Sequence, residues 1–440
     1  MIAGLPPNKF GSGLALHRVL GIAGALGLDL GAFSARSIVI VGSNGKGSTA
    51  AMTASALAQA LPGVGLFTSP HLFSPTERFQ IDGIEISQEA MDRLGLLVAA
   101  AAEAWCAARP GEHLGGFEFM FLLAALWFKE QSASAIVWEA GIGGRYDCTR
   151  LVGAKLGALT SLDLEHTELL GDSLELIGCD KLDAFAAGAK VYLGPSCAPL
   201  EERLAAFAGL NGVELVQLEA GKDWRDTVRG AVGVDLPGFA NAPMRPPLIG
   251  EHQKANAALA ARLAFDFLRA RFPGPRGEAE WLAKTIAQGL ALTRWPGRLE
   301  TLSEAPLIVI DVGHSPQATR AGRDGFATLS AGRSRILVCG ASDNKDSVGM
   351  LATLVEGFDT IIATRAYHKG RPAAEIAQLA RQMAPDASVL EAATIEEAYA
   401  LACAQAVAGE ASVFVGGGLF LAIEFKAVHL GLGPQTIRFF

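Results

Sequence analysis

Short apolar runs alternate with longer segments of helical periodicity along most of the chain. In the first part, runs of four or five residues predict buried strands at 37–41, 64–68, 135–138 and 156–160. The intervening segments predict helices at 49–61, 88–108 and 118–130. Because strands covered on both faces are apolar throughout, this alternation predicts an α/β fold with a mostly parallel sheet.

A second region of alternation begins after Trp295. The pattern weakens between about residues 191 and 247, and a long helix is predicted at 252–272. The alternation then restarts with predicted strands at 307–311, 336–339, 360–364 and 412–415. The sequence therefore predicts two domains, 1–295 and 296–440, of which the second is the smaller.

Composition narrows the class of protein. Of the 440 residues, 50% are hydrophobic and 19% are charged, which excludes a disordered or fibrous chain. The net charge of −8 argues against a general nucleic-acid binder and favours a soluble protein with small-molecule substrates. The six cysteines form no C-x-x-C pair, and the longest apolar run, 119–128, is about half a membrane helix. The first residues, MIAGLPPNKF, lack the charged and apolar blocks of a signal peptide. We therefore expect a cytoplasmic monomer without nucleic-acid or membrane partners.

A glycine-rich segment between the first predicted strand and an alanine-rich helix is a candidate phosphate loop. Its sequence is Gly42-Ser43-Asn44-Gly45-Lys46-Gly47-Ser48-Thr49. Glycines let backbone N–H groups curl around a phosphate, and the N-terminus of a helix adds positive potential. Lys46 would reach the terminal phosphates. The spacing departs from the Walker pattern, since only two residues separate Gly42 from Gly45. The alternative is an ordinary glycine turn capped by Ser48.

Three polar side chains follow other predicted strands. Ser69, Glu139 and His166 each come close behind the end of a strand. In open parallel sheets, ligands bind beyond the carboxyl ends of the strands, so the three are expected at the same edge as the loop. A hydroxyl, a carboxylate and an imidazole beside phosphates suit Mg²⁺. The alternatives are a helix cap for Ser69, a surface position for Glu139 and a structural hydrogen bond for His166.

Further polar residues lie in glycine-containing turns or next to predicted strands and helices. Arg145 and Asp147 lie in a glycine-bent loop, where they either pair with each other or contact a ligand. Asn256 lies four residues after His252 on a predicted helix, while Asp311 and His314 follow a predicted strand. Arg298, next to Gly297, either reaches a phosphate or is a charge at a helix end.

The chain resembles the folylpolyglutamate synthase / dihydrofolate synthase family of the Mur ligase superfamily. The resemblance covers nearly the whole chain in order. The motifs that carry it are Ser43-Asn44-Gly45-Lys46-Gly47-Ser48, Thr68-Ser69-Pro70-His71-Leu72, Glu77-Arg78, Glu139-Ala140-Gly141-Ile142-Gly143-Gly144-Arg145, Glu165-His166-Thr167, His252-Gln253, Asn256, Pro296-Gly297-Arg298-Leu299-Glu300 and Asp311-Val312-Gly313-His314.

The resemblance implies an ATP-dependent amide ligase that forms ADP. In the family, ATP phosphorylates a substrate carboxylate, and the amine of L-glutamate then displaces the phosphate. Residues 1–295 would form a P-loop ATPase domain, and residues 296–440 a Rossmann-like domain that binds glutamate and closes over ATP. The implied ATP contacts are Asn44, Gly45, Lys46, Gly47, Ser48, Thr49, Asn256, Arg298, Asp311 and His314.

The resemblance also implies metal and substrate residues. Ser69 and Glu139 would bind one Mg²⁺, and His166 with a carbamylated Lys181 would bind a second. The implied catalytic residues are therefore Lys46, Glu139, His166 and Lys181. The substrate residues are Phe117, Asp147 and Arg78, with the first two in a pterin pocket. An aromatic face stacks on a flat ring, and a carboxylate accepts from its N–H groups. Plain core packing is the alternative for Phe117.

Several positions depart from the family pattern. Glu165 replaces an aspartate, Arg150 and Ser315 each replace an asparagine, and Leu182-Asp183-Ala184-Phe185 follows Lys181 in place of Ala-Gly-Ile. The acceptor therefore stays open among dihydropteroate, folates or both. One alternative is a ligase of the same superfamily for another acid and amine. Another is a nucleotide-binding regulatory protein, which the intact Lys46, Glu139, His166 and Lys181 disfavour.

Overall fold

The computed structural model describes residues 12–227, 231–272, 274, 278–342 and 347–437. Contacts divide these residues into two compact units. The first comprises 12–247 and 253–294, and the second comprises 248–252 and 295–437.

The first unit contains an eight-stranded sheet. Its strands are β1 (Ser37–Val41), β2 (Val64–Phe67), β3 (Phe79–Ile81), β4 (Ile84–Glu85), β5 (Ala135–Glu139), β6 (Leu156–Leu159), β7 (Lys190–Leu193) and β8 (Glu214–Gln217). They lie in the order β4-β3-β2-β5-β1-β6-β7-β8, and all neighbours are parallel except at the β2–β3 and β3–β4 pairs. Every residue of β1 is buried, as its unbroken apolar run predicts.

Helices of this part of the chain pack on the sheet and on one another. They are α1 (His17–Ala25), α2 (Lys46–Ala58), α3 (Gln88–Ala107), α4 (Gly116–Glu130), α5 (Thr167–Leu170), α6 (Leu174–Leu182), α7 (Glu201–Leu210), α8 (Glu251–Arg271) and α9 (Ala279–Ala291). Helix α4 begins where Glu118 accepts from the backbone N–H of Gly115, and its apolar run packs Phe121 and Phe128 against Trp138 of β5. This packing holds β5 at the centre of the unit.

A small antiparallel sheet occupies part of the region where the sequence pattern weakens. Its strands are β9 (Trp224–Asp226), β10 (Val232–Leu236) and β11 (Phe239–Met244), in the order β11-β10-β9. The sequence pattern also missed β7, β8 and α7 in this region. Each of these strands has at most six residues, which is too short for a periodicity to stand out between glycines and prolines.

The second unit is a six-stranded α/β layer. Its strands are β12 (Glu300–Glu304), β13 (Leu307–Ile310), β14 (Arg335–Cys339), β15 (Thr360–Ala363), β16 (Ser388–Glu391) and β17 (Ser412–Gly416), in the order β12-β13-β17-β14-β15-β16. Only the β12–β13 pair is antiparallel. The helices are α10 (Pro316–Leu329), α11 (Ser347–Leu354), α12 (Ala373–Met383), α13 (Ile395–Ala408) and α14 (Leu419–His429).

The predicted fold class is confirmed by both sheets. The predicted strand at 135–138 extends by one residue, so that Glu139 ends β5 instead of following it. Helix α2 begins at Lys46, three residues earlier than predicted, because the glycine-rich segment itself supplies the first helical turn. Among the described residues, every helix is too short or too polar to cross a bilayer.

Candidate active site

The loop from Gly42 to Gly45 connects β1 to α2 at the carboxyl edge of the large sheet. Gly45 is the N-cap of α2 with a φ of 84°, a left-handed conformation that favours glycine. A Cβ at Gly45 would lie 2.6 Å from the amide oxygen of Asn256, and a Cβ at Gly42 would collide with Thr160. Both glycines are therefore required by close contacts as well as by backbone conformation.

Residues behind β6 hold this loop in shape. The Oγ of Ser161 accepts from the backbone N–H of Asn44 at 2.8 Å and donates to its carbonyl at 2.9 Å. The Oγ1 of Thr160 donates to the same carbonyl at 2.6 Å. The sequence interpretation missed Thr160 and Ser161, although Thr160 ends a predicted strand and Ser161 follows it just as Ser69 follows another.

Lys46 folds back over the loop that precedes it. Its Nζ donates to the carbonyls of Gly42 and Ser43 at 2.7 and 3.1 Å. The first N–H groups of α2 have no intrahelical acceptor, so they and Lys46 supply positive charge at one point. An anion bound there would replace the carbonyls as the partner of Lys46.

The remaining predicted loop residues are arranged around the start of α2. Ser48 is buried, and its Oγ lies 3.4 Å from the Nε2 of Gln253. Gln253 in turn accepts from the Nδ2 of Asn256 at 2.9 Å. Thr49 is fully buried within the helix, and its backbone N–H bonds the carbonyl of Gly45. The structure thus brings Asn256 to the loop, whereas the side chain of Thr49 lies in the interior.

Ser69 and Glu139 meet at the ends of two adjacent parallel strands. The backbone N–H of Ser69 donates to Oε2 of Glu139 at 3.0 Å, and Glu139 is buried. Arg78 is also buried, and its Nε donates to Nδ1 of His71 at 2.8 Å. Burial lowers the pKa of Arg78 to about 10, although the nearby Glu139 and Glu77 oppose this shift. The contact between Ser69 and Glu139 argues against a solvent-facing Glu139.

Lys181 is buried on α6 beside Glu165. Ser173 caps this helix by accepting from the backbone N–H of Leu176. The Nζ of Lys181 donates to Oε1 of Glu165 at 2.7 Å and to the carbonyl of Gly42 at 3.1 Å. Only 1% of the Lys181 side chain is exposed, which excludes a solvated surface lysine.

The charges around Lys181 shift each other's pKa values. Burial and then Lys46 lower the pKa of Lys181, while Glu165 opposes the shift. Burial opposes ionisation of Glu165, yet Lys46 and Lys181 together lower its pKa to about 2. His166 is half-buried and precedes α5 with a φ of 46°. Lys46, Glu165 and Lys181 therefore form one electrostatic group at the loop.

Asp147 and Phe117 lie deeper in the first unit. Oδ2 of Asp147 accepts from the backbone N–H groups of Gly141 and Ile142, and Oδ1 accepts from the N–H and hydroxyl of Thr149. Burial raises the pKa of Asp147, while these hydrogen bonds oppose the shift. Phe117 packs at 5.8 Å on the ring of Phe67. Asp147 orders its own loop and Phe117 packs in the aromatic core, and their contact with a pterin stays a prediction.

Arg145 does not pair with Asp147. Its Nε instead donates to Oδ2 of Asp183 at 2.6 Å. Asp147 is unavailable because it is buried and bonded within its own loop, whereas Asp183 is the partly exposed C-cap of α6. The prediction of an Arg145–Asp147 pair is therefore wrong, and Asp183 is the partner of Arg145.

The second unit holds the remaining predicted residues. Asp311 is buried and accepts from the backbone N–H groups of Leu299 and Gly313 at 3.1 and 2.7 Å. His314 is exposed, and Ser315 caps α10 by accepting from Ala318. Arg298 is half-buried just ahead of β12. Asp311 thus fixes the turn next to Arg298 within this unit.

The donors at the sheet edge fit a hard divalent cation. Ser69, Glu139 and the phosphate loop lie behind the adjacent strands β2, β5 and β1. In the described part of the chain, no three His, Cys, Asp or Glu side chains gather as a metal site. Mg²⁺ can bind where the protein supplies few ligands, because it takes one or two carboxylates and completes its coordination shell with water and phosphate oxygens.

Comparison with known proteins identifies a matching domain family and similar proteins. Residues 297–418 match the family model described as Mur ligase, glutamate ligase domain. A probable bifunctional folylpolyglutamate synthase/dihydropteroate synthase of Halobacterium salinarum is 33% identical over 398 residues, which cover 88% of this chain and 46% of that protein. The dihydrofolate synthase/folylpolyglutamate synthase of Escherichia coli is 31% identical over 352 residues, covering 79% of this chain and 76% of that protein. The chain thus spans about half of the archaeal relative and about three quarters of the bacterial one.

Solved structures share the fold. Mycobacterium tuberculosis folylpolyglutamate synthase, complexed with ADP and AMPPCP, has a TM-score of 0.83 at 23% identity, with 96% of each chain covered. The bifunctional Yersinia pestis enzyme with AMPPNP and a Mn ion has a TM-score of 0.78 at 26% identity, covering 97% and 95% of the two chains. A bifunctional enzyme with Mn, AMPPNP and L-glutamate bound has a TM-score of 0.76 at 27% identity, covering 96% and 95%.

The match of residues 297–418 and the similarity to the bacterial relative place the chain in the Mur ligase superfamily. Within that superfamily, the chain belongs to the dihydrofolate synthase/folylpolyglutamate synthase family.

Proposed function

We propose that this chain is an ADP-forming ligase that joins L-glutamate to the carboxylate of a pteroyl acid, either dihydropteroate or a folate. One observation carries the proposal. The phosphate loop, the Ser69–Glu139 pair and the Lys181–Glu165 pair lie behind four adjacent parallel strands of one sheet. Phosphate-binding and cation-binding groups therefore meet where a substrate carboxylate can be phosphorylated.

The reaction proceeds in two displacements. An oxygen of the acceptor carboxylate attacks the γ-phosphorus of ATP, and the bond to the bridging oxygen breaks to release ADP. The neutral amine of glutamate then attacks the acyl carbon, phosphate leaves with the bonding electron pair, and the nitrogen loses a proton. Lys46 and the first N–H groups of α2 offset the negative charge on the transferred phosphoryl group. Mg²⁺ held by Ser69 and Glu139 would neutralise phosphate charge.

Lys181 is proposed to act as a carbamate. Its ammonium group would first lose a proton, and the neutral amine would then bond the carbon of CO₂ and lose a second proton, which turns a cation into an oxygen-rich anion. Lys46, Lys181 and Glu165 now carry two positive charges and one negative charge, whereas the carbamate would reverse that balance. A second Mg²⁺ at His166 and Lys181 would then compensate the excess negative charge. The lowered pKa of Lys181 favours the neutral amine that reacts.

The carbamate has a direct spectroscopic test. Protein equilibrated with ¹³C-bicarbonate and Mg²⁺ should show a carbamate carbon resonance that Lys181→Ala abolishes and that the exposed control Lys284→Ala retains. Acetate should partly restore the activity of Lys181→Ala by supplying the missing carboxylate. A parent protein without the resonance, or a Lys181→Ala variant with full activity, would overturn the assignment.

The second unit is proposed to bind L-glutamate and to contribute contacts to ATP. In this proposal residues 296–440 form the glutamate-binding domain, residues 1–295 form the ATPase domain, and Arg298, Asp311 and His314 contact ATP. The match of residues 297–418 to the glutamate ligase domain supports this division of labour. The buried Asp311, which orders the turn at Leu299, gives Arg298 a fixed position.

The activity is tested by ADP release with a panel of acids and amines. Release should require both L-glutamate and a pteroyl acid, with dihydropteroate and tetrahydrofolate assayed separately. Equal turnover without glutamate would exclude ligation. Turnover only with another acid and amine would favour the second candidate, a related ligase, for which Arg150 and Glu165 are the observed departures.

A further inference from the structure

Arg150 is an exposed cation at a position where the family resemblance predicts an asparagine. It lies on the short helical turn Cys148–Val152, and its Nη1 donates to the backbone carbonyl of Arg145 at 3.1 Å. No carboxylate of the described residues forms an ion pair with Arg150. The side chain therefore presents a positive charge that the surrounding chain leaves uncompensated.

The loop that carries Arg150 packs directly on the end of α6. The backbone N–H of Gly144 donates to Oδ1 of Asp180 at 2.9 Å, and a Cβ at Gly144 would collide with the carbonyl of Lys181. Arg145 is anchored to Asp183 two residues beyond Lys181. Arg150 is thus held on the loop that contacts the backbone of Lys181, and the ammonium group of Lys181 reaches the carbonyl of Gly42 in the phosphate loop.

Three carboxylates in this loop and at the end of α6 already have partners. Asp183 binds Arg145, Asp180 binds the N–H of Gly144, and Asp147 is buried with all its acceptor positions occupied. The guanidinium of Arg150, which has no carboxylate partner among the described residues, can bind a planar carboxylate of a ligand through two parallel hydrogen bonds.

The two classes of pteroyl acceptor differ in one carboxylate. In dihydropteroate the reacting carboxylate is attached to the aromatic ring, and the molecule has no other. In an acceptor that already carries a glutamyl residue, an α-carboxylate accompanies the reacting γ-carboxylate at a distance of about 5 Å, set by the bonds between them. A cation close to the reacting group can therefore tell the two classes apart.

We propose that Arg150 is a specificity-determining residue that binds the α-carboxylate of an acceptor already carrying a glutamyl residue. This inference rests on the proposed ligase function and names the acceptor class that the site favours. The ion pair would form only with glutamylated acceptors, so it would raise kcat/KM for them relative to dihydropteroate.

The test is the ratio of kcat/KM for tetrahydrofolate to kcat/KM for dihydropteroate. Arg150→Gln should lower this ratio about tenfold, as expected for loss of a charge-assisted hydrogen bond. Arg150→Lys, which keeps the charge, should lower it less. The exposed Arg93→Gln is the matched control and should leave the ratio unchanged. Thermal unfolding of each variant shows whether the fold is kept.

Each alternative has its own signature. If Arg150 only braces the loop through the Arg145 carbonyl, Arg150→Gln lowers kcat/KM for both acceptors equally, and the inference is overturned. An unchanged ratio, or a parent protein active on dihydropteroate alone, overturns it as well. A parent protein that turns over neither acceptor with glutamate disproves the proposed function itself, before any variant is compared.

Discussion

The ammonium group of Lys181 lies 2.7 Å from Oε1 of Glu165, and the same ammonium group lies 3.1 Å from the carbonyl of Gly42. One buried lysine therefore joins α6, the segment after β6 and the phosphate loop. Glu165 replaces a family aspartate, and its longer side chain makes the contact with Lys181. The departure at Glu165 thus preserves a charge at this position.

Replacing Lys46 should disable phosphoryl transfer without unfolding the protein. Lys46→Ala removes a charge that offsets the transferred phosphoryl group, and we expect kcat to fall about 10³-fold. Lys46 is half-buried and bonds only loop carbonyls within this unit, so the midpoint of thermal unfolding should change little. ADP release is the assay, with the exposed Lys284→Ala as control. Near-normal turnover in Lys46→Ala would mean that the loop serves another purpose.

A methyl group at Gly45 should distort the phosphate loop. Gly45→Ala forces a left-handed φ on alanine and places its Cβ against Asn256, at 2.6 Å in the present conformation. A displacement of about 1 Å should lower kcat/KM for ATP about 10²-fold. Gly24→Ala is the control, because its Cβ meets nothing within 4 Å and alanine favours the helix. Equal ATP kinetics in the two variants would contradict the steric argument.

The buried pair Arg18–Glu118 should be costly to break from one side. Arg18 donates to both carboxylate oxygens of Glu118, and both side chains are buried. Arg18→Ala strands a buried carboxylate, so the free energy of unfolding should fall by about 3–5 kcal/mol. The exposed pair Arg93–Glu130 is the control, since Arg93→Ala should cost less than about 1 kcal/mol. Urea unfolding measures both. A similar loss in the two variants would show that burial does not set the strength of the first pair.

The titration of Glu424 should lower the free energy of unfolding as the pH rises. Burial raises its pKa to about 7 from an ordinary 4.5, with Glu396 adding to the shift and the N–H groups of Tyr367 and His368 opposing it. Between these values the folded protein keeps a proton that the unfolded chain releases, so unfolding becomes easier as pH increases. The loss amounts to about 3 kcal/mol, from about 1.4 kcal/mol for each pKa unit.

The measurement is urea unfolding of the parent and Glu424→Gln between pH 4.5 and 8. The difference in unfolding free energy between them should change by about that amount across the range, because other groups titrate equally in both proteins. The exposed Glu391→Gln should follow the parent. Parallel curves for the parent and Glu424→Gln would disprove the buried titration.

The sequence predicted the strands that build the site because they are buried on both faces. β1, β2, β5 and β6 are short apolar runs, and the position of Ser69 and Glu139 at their ends followed from parallel pairing alone. The loop at Gly42–Gly45 was predicted because glycines followed by a lysine at the start of a helix are typical of a phosphate site. Predictions that rested on the positions of residues at the ends of buried strands therefore agree with the structure at Ser69 and Glu139.

Partners that are distant in sequence could not be predicted. Arg145 pairs with Asp183 and not with the adjacent Asp147, because the fold buries Asp147 and brings the end of α6 to the loop. Arg18 and Glu118 are 100 residues apart, and neither has a local signal of burial. Such pairs depend on how the helices pack, which residue spacing does not encode.

During synthesis on the ribosome, the phosphate loop leaves the exit tunnel long before the residues that hold it in shape. Asn44 is fixed by Ser161, which is made 117 residues later, and the amide of Asn256, which lies against Gly45, is made later still. The loop cannot adopt its closed shape until these segments have emerged and joined the sheet. A nascent chain that stalls before residue 256 therefore lacks a residue that contacts the loop, and we expect the loop of such a chain to stay open.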